Sequence, residues 1–130
     1  MSEKSTSVVD ANAIVALLLG GDRADSERAQ AFFEPVREGS AQAFIPSAVL
    51  VECAYVLTRI YKVTRADTAS KLLGMLDYRG VTVESPAARL ALELYRDKNV
   101  DFVDALVVAI AQERGWQVFS SDRDLERMTK

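Results

Sequence analysis

Residues 8–19, VVDANAIVALLL, join a short apolar strand to an apolar helix and place one aspartate at the junction. The strand ends at Asp10, and the apolar run 13–19 then has the composition of a buried helix that stops at the glycine pair 20–21. A strand followed at once by a helix is the repeating unit of α/β domains with a parallel sheet. The remainder of the chain repeats this unit, so this stretch decides the fold class.

Three more short strands are predicted, and helices are predicted between them: the strands are residues 43–45, 81–83 and 117–120. The helix signals are an N-cap at Asp25 with Pro35 kinking or dividing the helix, N-caps at Ser47 and Thr64, Ser85 before Pro86, a helix over 101–114 ended by Gly115, and a last helix near Asp124. This alternation predicts a parallel sheet covered on both faces. Ligands bind beyond the carboxyl ends of such strands, and Asp10 and Asp122 follow the first and the fourth strand.

Composition indicates one globular domain over residues 1–130. The chain has 49% hydrophobic and 27% charged residues, the usual balance of such domains. No apolar stretch is long enough to cross a bilayer and residues 1–7 lack an apolar signal core, so we expect a cytoplasmic protein without membrane contact. Cys53 is the only cysteine, which excludes an internal disulfide and suggests a buried packing role.

The chain contains no histidine, which excludes histidine-based acid–base catalysis, Ser-His-Asp triads and the usual zinc sites. Its net charge is −3. A negative protein cannot hold a phosphate backbone through a broad cationic surface, because such affinity normally comes from many lysine and arginine contacts. Phosphate chemistry on this chain would therefore need metal ions.

Three acids interrupt segments that otherwise have the composition of a core: Asp10, Glu52 and Asp104. A buried carboxylate is costly unless it meets a cation or hydrogen-bond donors, and each of the three could cap a helix or pair with a buried arginine. If they converge beyond the sheet, a divalent cation would relieve their mutual repulsion. Mg²⁺ and Mn²⁺ suit a site made of carboxylates without histidine.

Four further polar residues lie near the same predicted edge. Asp122 follows the fourth strand and is also a candidate helix cap. Asp101 precedes Asp104 by three residues and could share its helix face or act as the N-cap. Asn12 and Ser120 lie beside the proposed acids, where they could support the site or form turns.

These acids, in this order, resemble the PIN-domain nucleases and, more narrowly, the VapC-type toxins of toxin–antitoxin pairs. The matching stretches are residues 8–13, 47–52, 101–106 and 118–125. The resemblance implies a three-layer α/β/α domain with a short parallel sheet of four to five strands flanked by helices.

The resemblance also carries the family's acids onto Asp10, Glu52, Asp104 and Asp122, with Asn12 and Ser120 in supporting positions. It further implies RNA cleavage with one or two Mg²⁺ or Mn²⁺ ions, homodimerisation, and inhibition by a cognate antitoxin. RNA would then be held by a local basic rim, for which Arg59, Lys62, Arg65 and Arg123 are candidates.

Two other functions remain open at this point. Asp10 at a strand end could be the nucleophile of a phosphotransferase, although such enzymes commonly carry a second aspartate where this chain has Asn12. The acids could instead form a non-catalytic pocket that binds a basic peptide. A phosphoaspartate trapped at Asp10 would favour the first, and binding of an arginine-rich segment without RNA cleavage would favour the second.

Overall fold

A computed structural model describes residues 5–21 and 24–128, in which a small parallel sheet is flanked by helices. The strands are β1 (Thr6–Val8), β2 (Gln42–Ile45) and β3 (Val81–Val83). The helices are α1 (Ala11–Leu19), α2 (Ala24–Glu38), α3 (Ser47–Tyr55), α4 (Arg65–Leu76), α5 (Ala88–Asp97), α6 (Phe102–Arg114) and α7 (Arg123–Arg127), and a π-helical turn (Val56–Ile60) extends α3. The α/β class predicted from the sequence is confirmed.

The sheet has the order β1-β2-β3, and both strand pairs are parallel. Val8 lies opposite Phe44, and Ile45 lies opposite Val83, so all three strands end at one edge. The helices α1 and α2 connect β1 to β2, and α3 with α4 connect β2 to β3. The chain therefore leaves each strand at the same edge and enters a helix or turn there.

The prediction of four to five strands is wrong for the described residues, since the sheet has three. Residues 116–120 have no regular secondary structure. Their backbone groups bond locally instead: the Trp116 amide donates to the Ala111 carbonyl at 2.8 Å, and the Ser120 amide donates to the Glu126 carboxylate at 3.1 Å. These local bonds compete with strand pairing.

The hydrophobic core fills the space between the sheet and the helices. Its fully buried side chains come from every layer and include Ile14, Phe33, Ile45, Leu50, Leu72 and Leu92. The helices also pack on one another, with contacts between α1 and α2, between α4 and α5, and between α5 and α6. None of the helices in the described ranges has the length and apolar character needed to span a membrane.

Most predicted helix ends are found close to their expected positions. The Thr64 hydroxyl accepts from the Asp67 amide at 3.1 Å, and Gly115 has a φ of 68°, so both the cap and the left-handed stop are confirmed. The last helix begins at Arg123, one residue before the predicted start at Asp124, and its N-cap is Asp122.

Three other helix predictions differ from the structure. Ser47 is the first residue of α3 and the cap position is Pro46, which offers no side-chain acceptor. The Ser85 hydroxyl accepts from the Ala87 amide at 3.2 Å, which makes a turn and delays the helix start to Ala88. Pro35 was predicted to kink or divide the second helix, and α2 continues through it without division.

Candidate active site

Asp10 joins β1 to α1 and begins the helix. Its carboxylate oxygen Oδ1 accepts from the Ala13 amide at 3.0 Å, so the aspartate is the N-cap of α1. The side chain is exposed at the edge where the parallel strands end. The cap bond uses only one of the two carboxylate oxygens, so the second oxygen remains for another ligand.

Glu52 lies in the second turn of α3, directly before Cys53. Cys53 is buried, and its thiol Sγ is 3.9 Å from the Ala11 carbonyl oxygen. Burial raises the pKa of this thiol to about 12, and the negative charges of Glu52 and Asp10 add to the rise. Both carboxylates therefore act on one buried atom, and Cys53 has the packing role predicted for it.

Asp101 and Asp104 line a second hollow, at the start of α6. Asp101 is the N-cap residue without a side-chain cap bond, and Asp104 is half-buried in the first turn. They line a groove of about 490 Å³, which we call the α6 groove, together with residues of α3, the π-helical turn and α4 that include Tyr55, Arg59 and Arg65. Asp101 therefore occupies the N-cap position, one of the two alternatives predicted for it, and lines the same groove as Asp104.

Arg65 fixes the loop that leads into α6. Its Nη1 donates to the Tyr95 carbonyl at 3.2 Å and to the Val100 carbonyl, and its guanidinium carbon lies 4.4 Å from the centroid of the Tyr95 ring. Val100 immediately precedes Asp101, so these contacts hold the backbone from which Asp101 and Asp104 project. The structure thus gives Arg65 a positioning role in the α6 groove.

Asp122 and Ser120 lie in the C-terminal part of the chain. The Asp122 carboxylate accepts from the Asp124 amide at 2.9 Å and caps α7, while its own amide donates to the Ser120 hydroxyl at 2.9 Å. The helix α7 contacts α6, where the Gln112 side chain donates to the Met128 carbonyl at 2.9 Å. Since residues 117–120 form no strand, no strand carries Asp122 to the sheet edge.

Asn12 follows Asp10 into the first turn of α1 and is exposed. Both side chains line a hollow of about 510 Å³ beside β1, together with Arg28 and Phe32 from α2. Asn12 therefore accompanies Asp10, as the sequence predicts, whereas Asp104 opens into the α6 groove.

The acids are more exposed than their apolar neighbours in the sequence suggest. Asp10, Glu52 and Asp122 are exposed and Asp104 is half-buried, because helix starts and the outer face of α3 are open to solvent. The ion pairs described for the chain join other residues, namely Arg89 with Asp77, Arg96 with Asp97, and Arg127 with Asp124. Of the three acids that lie in apolar segments, Asp10 and Glu52 are exposed, so the expectation of burial is wrong for these two.

Carboxylates without histidine are a donor set that fits Mg²⁺ or Mn²⁺. Within residues 5–21 and 24–128, however, no three acidic or sulfur side chains stand close enough together to hold one ion. Asp10 lines the hollow beside β1, whereas Asp101 and Asp104 line the α6 groove. A metal site shared by all four acids stays a prediction.

Two residues at the site are not among the acids or basic candidates taken from the sequence. Glu84 directly follows β3, and its carboxylate accepts from the Ser47 amide at 3.0 Å, which ties the ends of β2 and β3 together. Its place after a predicted strand, like that of Asp10, is the signal that could have found it. Tyr55, in the α6 groove, had no such signal, because an aromatic residue on an apolar helix usually belongs to the core.

The model of the PIN domain family matches residues 7–130 of this chain. The chain therefore belongs to the PIN domain family, whose members are generally nucleases with metal-dependent activity. No curated protein matches it.

Proposed function

We propose that this protein is a Mg²⁺- or Mn²⁺-dependent endoribonuclease that hydrolyses RNA phosphodiester bonds. Membership of the PIN family over residues 7–130 supports nuclease chemistry. The observation that carries the assignment to residues is the Asp10 carboxylate, which is exposed, as the Glu52 carboxylate is, and lies at the edge where the parallel strands end. Both acids are exposed and stand outside the described ion pairs, so their charges remain for another cation.

The proposed ligands are Asp10, Glu52, Asp104 and Asp122, holding one or two ions. A bound ion supplies an activated water molecule and stabilises charge on the phosphorus oxygens. Asp10 has the central place, because its cap bond to Ala13 orients the carboxylate while leaving an oxygen for ligation.

Three further polar residues have supporting roles in this proposal. Asn12 lies beside Asp10 in the same hollow, where its amide can orient substrate or water. Asp101 shares the α6 groove with Asp104. Ser120 holds the Asp122 backbone through its hydroxyl.

We further propose that the chain is the toxin of a VapC-type toxin–antitoxin pair and forms a homodimer. The order of the acids along the chain supports the first proposal. The second is supported by an apolar stripe on α6, because Val103, Val107 and Ile110 recur at helical spacing and are all exposed. Exposed apolar patches of this kind mark surfaces that associate with protein. A cognate antitoxin is the other proposed partner.

Cleavage of an RNA panel by the full chain, with Mn²⁺ and with EDTA, tests the proposed activity. We expect Asp10→Asn and Asp104→Asn each to reduce the metal-dependent rate by about a hundredfold or more, because each removes an ion-binding charge. Asp67→Asn is the matched control, because Asp67 is an exposed acid in the first turn of α4. We expect this variant to cleave RNA at the wild-type rate. Titration with Mn²⁺ alone should show weaker binding to the Asp10 variant.

Thermal unfolding of each variant separates loss of chemistry from loss of fold. Asparagine is as good an N-cap as aspartate, so Asp10→Asn should unfold at a temperature close to that of the wild type. Undiminished cleavage by Asp10→Asn, or cleavage that EDTA leaves unchanged, would refute the proposed function.

A further inference from the structure

The α6 groove contains an aromatic side chain that is exposed rather than packed against other rings. Tyr55, the last residue of α3, is 59% exposed and lines the groove that also holds Asp104. Buried aromatic residues of this protein pack ring against ring, as Phe33 does with Tyr78 and Tyr95 with Phe102. Tyr55 instead exposes its ring to solvent in the same groove as Asp104, a proposed catalytic acid.

Arg59 completes the exposed surface around Tyr55. Its guanidinium carbon lies 5.9 Å from the centroid of the Tyr55 ring, within the range of a cation–π contact. The two residues are four positions apart and share one face of the helical segment. A planar ring and a planar cation are thereby placed side by side along the α6 groove.

The backbone between these residues is the π-helical turn, which is uncommon and concentrated at functional sites. The Tyr61 amide donates to the Val56 carbonyl five residues back, at 3.2 Å. The Thr58 hydroxyl donates to the Ala54 carbonyl at 2.7 Å and holds the start of the turn. The widened turn sets the direction in which Arg59 projects beside the ring.

We propose that Tyr55 and Arg59 form a stacking platform for one unpaired base of an RNA strand whose phosphate lies at Asp104. The inference rests on the proposed ribonuclease function and deepens it by naming the side chains that would hold a base of the substrate. Every base has a π face, whereas paired bases within a helix cannot be laid on a side chain. Arg59 faces the neighbouring phosphate or the second face of the base.

The charge of the protein favours such a mode of binding. With a net charge of −3, the chain cannot grip RNA through phosphate contacts alone. Arg65 also lines the α6 groove, but it donates to the Tyr95 and Val100 carbonyls. Stacking does not depend on many cations, and loss of one stacking ring weakens binding by about ten- to a hundredfold.

The test compares Tyr55→Ala with Tyr55→Trp and with Tyr61→Ala in the full chain with Mn²⁺. Tyr61 is the matched control because it is also exposed, at 44%, and immediately follows the same turn. For single-stranded RNA we expect Tyr55→Ala to raise KM about ten- to a hundredfold with kcat within about twofold, and Tyr55→Trp to restore KM. Tyr61→Ala should leave both constants unchanged.

Binding is measured separately from cleavage. Fluorescence anisotropy follows a labelled eight-nucleotide single strand, and the same strand in a duplex, on Asp10→Asn protein with and without Tyr55→Ala. We expect Tyr55→Ala to weaken binding of the single strand and to leave duplex binding unchanged.

Each outcome decides the proposal. An unchanged KM and affinity in Tyr55→Ala overturns it, as does an equal effect of Tyr61→Ala or an equal loss of duplex binding. If Tyr55→Ala lowers the unfolding temperature enough to account for its loss of RNA binding, the proposal is also overturned. Recovery of binding by Tyr55→Trp would argue against such an unfolding effect. If the wild type cuts no RNA, the proposed function fails by itself, and the anisotropy comparison still decides whether Tyr55 binds an unpaired base.

Discussion

The sheet with its covering helices and the stretch that follows α6 use similar apolar residues with opposite results. In the first region Ile45 and Leu50 are fully buried. In the second, Trp116 is exposed and Phe119 is 96% exposed. On the edge strand β1, Val8 is also 72% exposed. Apolar composition therefore gives a strand only where a neighbouring strand and a covering helix are both present.

The largest expected effect compares a core side chain with an exposed one. Leu50→Ala removes a fully buried side chain and should lower the free energy of unfolding by about 2–5 kcal/mol. Phe119→Ala should change it by less than about 0.5 kcal/mol, because the ring is almost entirely in solvent. Urea unfolding of both variants measures the difference. A large loss from Phe119→Ala would mean that residues 116–120 pack in solution, and the contrast between the regions would disappear.

The next prediction concerns the close approach of backbone atoms at Gly80, just before β3. A Cβ on Gly80 would lie 2.1 Å from the Ala41 carbonyl oxygen and 2.8 Å from that of Val36, and both are backbone atoms. Gly80→Ala should therefore cost about 1–3 kcal/mol of stability. Gly74→Ala is the control, because that glycine lies inside α4 with nothing within 4 Å, and alanine there should stabilise by about 0.5–1 kcal/mol. Changes of the same sign in the two variants would contradict this account.

The smallest effect compares helix caps in the two regions. Asp10→Ala removes the cap of α1, whose first residues pack into the core, and should cost about 1 kcal/mol. Asp122→Ala removes the cap of the short α7, and we expect less than half that cost, because few contacts depend on that helix. Thermal unfolding of the two variants at one pH gives the ranking. The reverse order would show that the C-terminal region contributes more to stability than its exposure suggests.

Where local chemistry and packing agree, the sequence is sufficient to predict the fold. The first strand, which ends at Val8 shortly before Asp10, the cap at Thr64 and the left-handed Gly115 each depend on a few neighbouring residues, and all are found. The predicted strand 117–120 depends on a partner far away in the chain, and local bonds to Ala111 and Glu126 prevail. Periodicity cannot reveal such competition.

The candidate site is predictable in its residue types but not in its exposure. The apolar neighbours of Glu52 suggest that it is buried. They form the buried side of α3, however, and Glu52 lies on the exposed side. The α6 groove depends on the π-helical turn that places Arg59 beside Tyr55, and that backbone register has no signature in composition.

If Asp10 ligates an ion as proposed, its carboxylate has two roles, because Oδ1 caps α1 while the other oxygen would bind the ion. Ion binding and fraying of the first helical turn would then be coupled through one side chain. Slower hydrogen–deuterium exchange of the Ala13 amide upon Mn²⁺ addition would report that coupling directly. The stability of the first turn of α1 would in that case depend on the concentration of the ion.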